Sequence, residues 1–265
     1  MMKLRCFAAG AAVGLVLAGG IGLGGSFAQD VLRKNSAVPK LVGQADLDCS
    51  LFIMEAAPKL RIAAPYVAGE KTILTVSDLF LADPVPGGEA FVPDSVWTIL
   101  EWGSPVKGKT PPVVLGNVAY LRGRARVIRI ESGRAVMQIE KSCGFIQAGS
   151  LLVPFQPAEI LTGAEQEYRV PYQAEGAPTG RVIFLESDYT QLTARGHWGL
   201  VDLGEADGLV IGQQLTVFRR EGKASPLAVA NAVVVWTGAR WATIKILNSD
   251  DAVRVGDWVQ PKALL

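Results

Sequence analysis

The chain repeats itself, and the repeat limits the folds open to it. Residues 124–154 (RARVIRIESGRAVMQIEKSCGFIQAGSLLVP) and 231–261 (NAVVVWTGARWATIKILNSDDAVRVGDWVQP) align without a gap at an offset of 107 residues, as from Gly149 to Gly256. Ala125/Ala232, Val127/Val234, Ala135/Ala242, Ile139/Ile246, Ser142/Ser249, Gly149/Gly256 and Pro154/Pro261 are identical. Ile128/Val235, Met137/Ile244, Ile146/Val253 and Leu152/Val259 stay apolar. A pattern that holds apolar positions, a glycine and a proline in one register is one supersecondary unit made twice. Each copy reads as strand, tight turn, strand, short turn, strand. Val233-Val234-Val235-Trp236 is β-branched and aromatic, which suits a strand. Thr237-Gly238 supplies turn chemistry. Ala242, Ile244 and Ile246 alternate with Thr243 and Lys245, the period of a half-buried strand. Gly256 sits in the second turn, where positive φ favours glycine, and Pro261 stops the closing strand.

The upstream halves correspond more loosely. Phe91-Val92-Pro93-Asp94 leads into Val96–Leu100, as Leu209-Val210-Ile211-Gly212 leads into Gln214–Phe218. No stretch beyond the N-terminal leader sustains an amphipathic helix of three turns, and residues 44–57 (QADLDCSLFIMEAA) are the one modest candidate. Residues 155–178 are polar and proline-bearing, as linkers are. The expected fold is all-β: two repeated small antiparallel domains, barrel-like or sandwich-like. The expected boundaries are a signal peptide at 1–28, an N-terminal arm at 29–60, a first β-domain at 61–155, a linker at 156–179 and a second β-domain at 180–265.

The leader reading comes from MMKLRCFAAGAAVGLVLAGGIGLGGSFA. Lys3 and Arg5 form a positive start, an apolar run follows, and Ser26-Phe27-Ala28 is a small-x-small cleavage site. Cleavage after Ala28 predicts a periplasmic or secreted protein; the rival reading of the same run is a retained membrane anchor. The 265 residues carry a formal net charge of +1, and 49% are hydrophobic. That balance gives no electrostatic case for nucleic acid or for an anionic membrane surface. Cys49 and Cys143 are the cysteines beyond the leader. In an oxidising compartment they are candidates for a disulfide pinning the arm to the first domain. Two buried free thiols are the alternative, since sequence gives no Cα separation.

The run GEADGLVIGQQLTVFRR followed by DDAVRVGDWVQP, and in the first copy SPVKGK, LGNVAYLRGRARVIRI and IEKSCGFIQAGSLLVPF, resemble known bacterial domains. They are similar to the C-terminal β-domains of envelope proteins that often follow a peptidoglycan-binding LysM module. They also resemble the C-terminal domain of flagellar ring assembly protein T. The resemblance covers roughly residues 60–155 and 180–262 and implies architecture and an envelope setting. The sequence has no LysM module, so glycan-binding residues do not carry over, and the resemblance supplies no catalytic residue.

Gly103-Ser-Pro-Val-Lys-Gly-Lys-Thr110 matches the phosphate-loop pattern at every position. A phosphate loop needs a helix to follow, whose first N–H groups cradle the phosphates. Here Pro111-Pro112-Val113-Val114 follows, and the second proline restricts the first to extended backbone. The stretch is expected to be a hairpin loop, with Lys107 and Lys109 as exposed charges near an arginine stripe. That stripe is Arg122, Arg124 and Arg126, which share one face of a strand. It is either a contact for anionic cell-wall polymer or a protein partner, or a solvated face paired with Gln138 and Glu140. A three-residue turn would set those pairs opposite; a two-residue turn would not. His197 is the single histidine, and no G-x-S-x-G elbow accompanies it. No catalytic, cofactor or metal-ligating residue is assigned. Trp97, Trp102, Trp198, Trp236, Trp241 and Trp258 are expected to fill or cap cores.

These residues point to an exported, non-catalytic envelope scaffold or assembly module. Its expected partners are envelope proteins or cell-wall polymer. A peptidoglycan-binding protein is the alternative, and a hydrolase comes third.

Overall fold

Alternation builds the strands. The computed structural model describes residues 39–67, 69, 71–109, 112–166, 177–186, 192–222 and 225–262. The leader read over 1–28, the start of the arm, Thr110, Pro111 and the middle of the linker lie outside them. In the first lobe the strands are β3 (Ile62–Pro65), β4 (Leu79–Ala82), β5 (Val96–Lys107), β6 (Val114–Glu131), β7 (Arg134–Ser142) and β8 (Leu151–Pro154). They pair in the order β3-β4-β7-β6-β5-β8. An Arg61–Leu151 bridge and the bonds Ile62 N to Ser150 O and Leu152 N to Leu60 O bring β8 back beside β3. In the second lobe β10 (Gly180–Leu185), β12 (Trp198–Val201), β13 (Gln214–Arg219), β14 (Leu227–Gly238), β15 (Trp241–Ser249) and β17 (Trp258–Pro261) form a closed barrel. The fold is all-β, as the sequence predicts.

The repeat extends beyond the aligned segments. β7 and β8 fall on β15 and β17 residue for residue at the sequence offset. Upstream, Leu79 faces Gln138 as Trp198 faces Lys245, and Ile62 faces Ala82 as Val182 faces Val201. Asp94 N donates to Val127 O as Gly212 N donates to Val234 O. Each lobe has its own apolar interior. One holds Ile62, Phe80, Ile99, Val127, Met137, Ile139 and Leu152; the other holds Val182, Val201, Val217, Val234, Ile244, Ile246 and Val259. Burying each such side chain contributes about 1.5–3 kcal/mol.

The arm departs from its helix candidate. Residues 44–57 form one helical turn, α1 (Gln44–Leu47), and then strand β2 (Leu51–Met54). Leu51 and Ile53 are buried while Phe52 and Met54 are half-buried, a period of two that pairs with Asn117–Tyr120 of β6. Helical spacing loses because β6 outruns its partners and offers free backbone groups to another strand.

The arm lies where the two lobes meet. Val42, Leu47, Leu51 and Ile53 pack with Val106 and Val118 of the β5–β6 hairpin and with Trp198, Leu200, Val233 and Val235 of the second lobe. The hydroxyl of Thr243 donates to the Leu51 carbonyl (2.8 Å), and Trp236 Nε1 donates to Ser50 Oγ (2.8 Å). The described residues thus form one compact unit with four apolar clusters, one of them between the lobes. Part of the linker also docks. β9 (Leu161–Thr162) pairs with β1 (Lys40–Val42), and buried Asn231 donates to Glu165 Oε1 and the Gln166 carbonyl.

Candidate functional site

The arginine stripe lies on β6, and its charge is taken up within the first lobe. Arg122 Nε donates to Glu101 (2.6 Å), and Arg124 Nε and Arg126 Nε donate to the two oxygens of Glu140 (3.2 and 2.6 Å). Arg126 Nη1 also bonds the Asp94 carbonyl (2.9 Å). Asp48, on the arm, faces Lys141 at 2.9 Å and Arg124 at 3.9 Å. Glu140 and Asp48 therefore make the stripe a cross-linked face. The turn that aligns it has two residues, Ser132-Gly133, with Glu131 opposite Arg134. The register still sets Arg126 opposite Gln138, because it shifts by one between Val127 and Arg129. A bulge at Ile128 thus restores the Arg126–Gln138 pairing that the sequence assigned to a three-residue turn, while a second shift between Arg124 and Ala125 sets Arg124 opposite Lys141 rather than Glu140. Val235 takes the equivalent bulge in the second lobe.

The phosphate-loop match is mostly strand. Gly103–Lys107 end β5, with an irregularity between Trp102 and Pro105 where the Asn117 amide bonds the Gly103 carbonyl (2.9 Å). Proline fits such a bulge because it has no N–H to donate. Gly108 N donates to Val113 O (3.0 Å), and β6 begins at Val114. A strand follows the motif where a phosphate site needs a helix. The loop is shorter than the sequence suggested, and it is separate from the stripe. From Val114, opposite Lys107, to Arg122 is eight strand residues, or roughly 25 Å. Lys107 and Lys109 are exposed at the far end of the hairpin, where Lys109 N donates to Asp202 of the second lobe (2.9 Å).

Cys49 and Cys143 are bonded, with Cα atoms 5.4 Å apart, which fixes α1 to the end of β7. His197 is exposed in the turn before β12. Trp97 and Trp198 are buried, and Trp102, Trp236, Trp241 and Trp258 are half-buried. Among the described residues no group of three or more His, Cys, Asp or Glu stands ready to hold a metal ion.

A cleft of about 470 Å³ lies between the arm, the β9 segment and the second lobe. Lys40, Asp46, Glu165, Arg195 and Lys245 line it. Asp46 and Lys245 pair across it at 2.6 Å, and the Lys245 ammonium lies 5.8 Å from the Trp198 ring centroid. Burial opposes ionisation of Asp46, but the Lys245 ammonium and the Gly43 N–H hold its carboxyl below the usual value of 3.8. This cleft is a joint lined by charges of both signs. The sequence reading missed Asp46, Asp48 and Lys245, because their partners lie on distant strands that no local pattern connects.

No protein-family model matches the chain, and no curated protein is significantly similar to it.

Proposed function

We propose that the chain is an exported, non-catalytic scaffold or assembly module of the bacterial cell envelope. The junction between the lobes carries the reading. Segment 46–51 is bonded to both lobes, to the first through Asp48 and Cys49 and to the second through Asp46, Ser50 and Leu51, which holds the two lobes in one fixed relation. Fixed relative placement is what a scaffold supplies, since domains joined by a mobile linker do not keep it. The leader pattern and the resemblance of the glycine turns to envelope domains agree with that setting. The closed barrel of the second lobe leaves few strand edges for a partner to extend. The reading therefore places binding on the loops and on the small sheets β1–β9 and β11 (Leu192–Thr193) with β16 (Val253–Arg254).

The test is co-sedimentation of the purified chain with two materials, an envelope protein fraction and purified peptidoglycan. Retention by the protein fraction alone is expected. Retention by bare peptidoglycan would replace the scaffold with a glycan-binding protein.

A further inference from the structure

The cleft of about 470 Å³ has the β1–β9 sheet on one side and the turn 194–197, which follows β11, on the other. Its volume falls in the usual range of ligand sites, about 300–1,000 Å³. Three cations and two carboxylates line it: Lys40, Arg195 and Lys245 against Asp46 and Glu165. Lys245 is matched to Asp46 (2.6 Å). Glu165 Oε1 accepts from the Asn231 amide (3.1 Å), a neutral donor. Lys40, on the arm, and Arg195, on the second lobe, form no ion pair among the described residues, and both are exposed. The cleft therefore carries a surplus of positive charge, with an unmatched cation on each wall.

The fold does not need these cations. The first lobe builds the same turn from Thr75, Val76, Ser77 and Asp78. There Asp78 N donates to Thr75 O and Ser77 N to Ile139 O, as His197 N donates to Ala194 O and Gly196 N to Ile246 O. Ser77 and Gly196 both take left-handed φ, 73° and 89°. In this correspondence Val76 stands where Arg195 stands, and Gln138 stands where Lys245 stands. The charge belongs to the second lobe, where the cleft lies, and not to the architecture that the lobes share.

We propose that this cleft binds an acidic segment of a partner protein, whose carboxylates bridge Lys40 and Arg195. The proposal rests on the partner-binding reading above and gives it a docking site. An entering carboxylate gains charge-assisted hydrogen bonds, and the planar fork of Arg195 can donate two of them at once. A cleft concentrates the field of the charges that line it, so it attracts the opposite sign better than a flat surface does. Complementary charge of this kind sets partner choice and encounter rate more than raw affinity. A segment bound to both cations also ties the arm to the second lobe. A wall glycan fits less well. No aromatic side chain lines the cleft, and the Trp198 ring beside Lys245 is buried, so a sugar finds no ring to stack on.

The experiment titrates the full chain with acetyl-tetraglutamate amide, acetyl-tetraglutamine amide and a tetramer of galacturonic acid, by calorimetry at low salt. Saturable binding of the glutamate peptide alone is expected, weakening as salt is added. Lys40→Gln and Arg195→Gln should each weaken it roughly two- to fivefold. Lys59→Gln, which removes an exposed cation of the first lobe, should leave it unchanged. Amide exchange at Gly43 should slow when the peptide binds, because the bridge restrains the arm. No saturable binding, equal binding of the glutamine peptide, or equal loss in Lys59→Gln would overturn the site. Binding of the uronic acid as tight as that of the peptide would overturn the occupant. Co-sedimentation with the envelope protein fraction is read separately. Retention without peptide binding sinks this site alone, and peptide binding without retention sinks the scaffold reading alone.

Discussion

Arg219 shows how much one side chain can hold. Its guanidinium donates to both oxygens of Asp257 (2.9 Å each), to Asp251 (2.7 Å) and to the Ala252 carbonyl (2.8 Å). The hydrogen bonds from Arg219 to Asp257 raise its pKa above the arginine norm. Asp257 is 4% exposed, so Arg219→Leu leaves a buried carboxylate that keeps its bond from the Arg254 N–H but loses its cation. Such a break costs about 3–5 kcal/mol, and urea unfolding should show a loss of that size. The first lobe does without the pair. Ser150 stands for Asp257 and accepts from the Gln147 N–H (3.2 Å), while Glu101 stands for Arg219. Adding Asp257→Ser to Arg219→Leu should therefore recover much of the loss. Asp46 gives a pH prediction. Its folded pKa lies below 3.8, so its contribution is complete above that value and is lost as pH falls through the lower folded one. Amide exchange at Gly43, whose N–H bonds Asp46 (2.9 Å), should accelerate in that acid range, and Lys245→Met should move that range to higher pH.

At the scale of elements, the disulfide is the strongest single device. It closes a separation of 94 residues, and a loop of that length loses about 4–5 kcal/mol of unfolded-state entropy. Cys49→Ser with Cys143→Ser should lower stability by about that much in denaturant melts under oxidising conditions. Under reducing conditions the wild-type chain should approach the variant. The repeated strands β7, β8, β15 and β17 were legible in the sequence, because alternation and turn glycines are local signals. Gly149 and Gly256, aligned in the repeat, both take left-handed φ, 90° and 100°. The bulge at Ile128 was not legible, since Val127-Ile128-Arg129 reads as regular strand and the extra residue shows only against β7. Leu51-Phe52-Ile53-Met54 was hidden for a related reason. Four apolar residues in a row fit a helix or a strand, and the partner that decides lies on β6.

For the whole molecule, the shared cluster at the junction predicts cooperative unfolding. Leu51 is fully buried between the lobes, and Leu51→Ala should cost about 2–5 kcal/mol. Calorimetry should show one transition for the wild-type chain and two for the variant, as the barrels lose their common support while keeping their own interiors. The arm also decides how the molecule bears load. Tension applied at residue 39 meets first the short β1–β9 contact and then Cys49, where the sulfur bridge passes it to the end of β7. Peeling stops there, because the rest of the arm cannot be drawn out without opening the first lobe. A tether at that end would hold the protein by its first lobe, with the second carried as cargo.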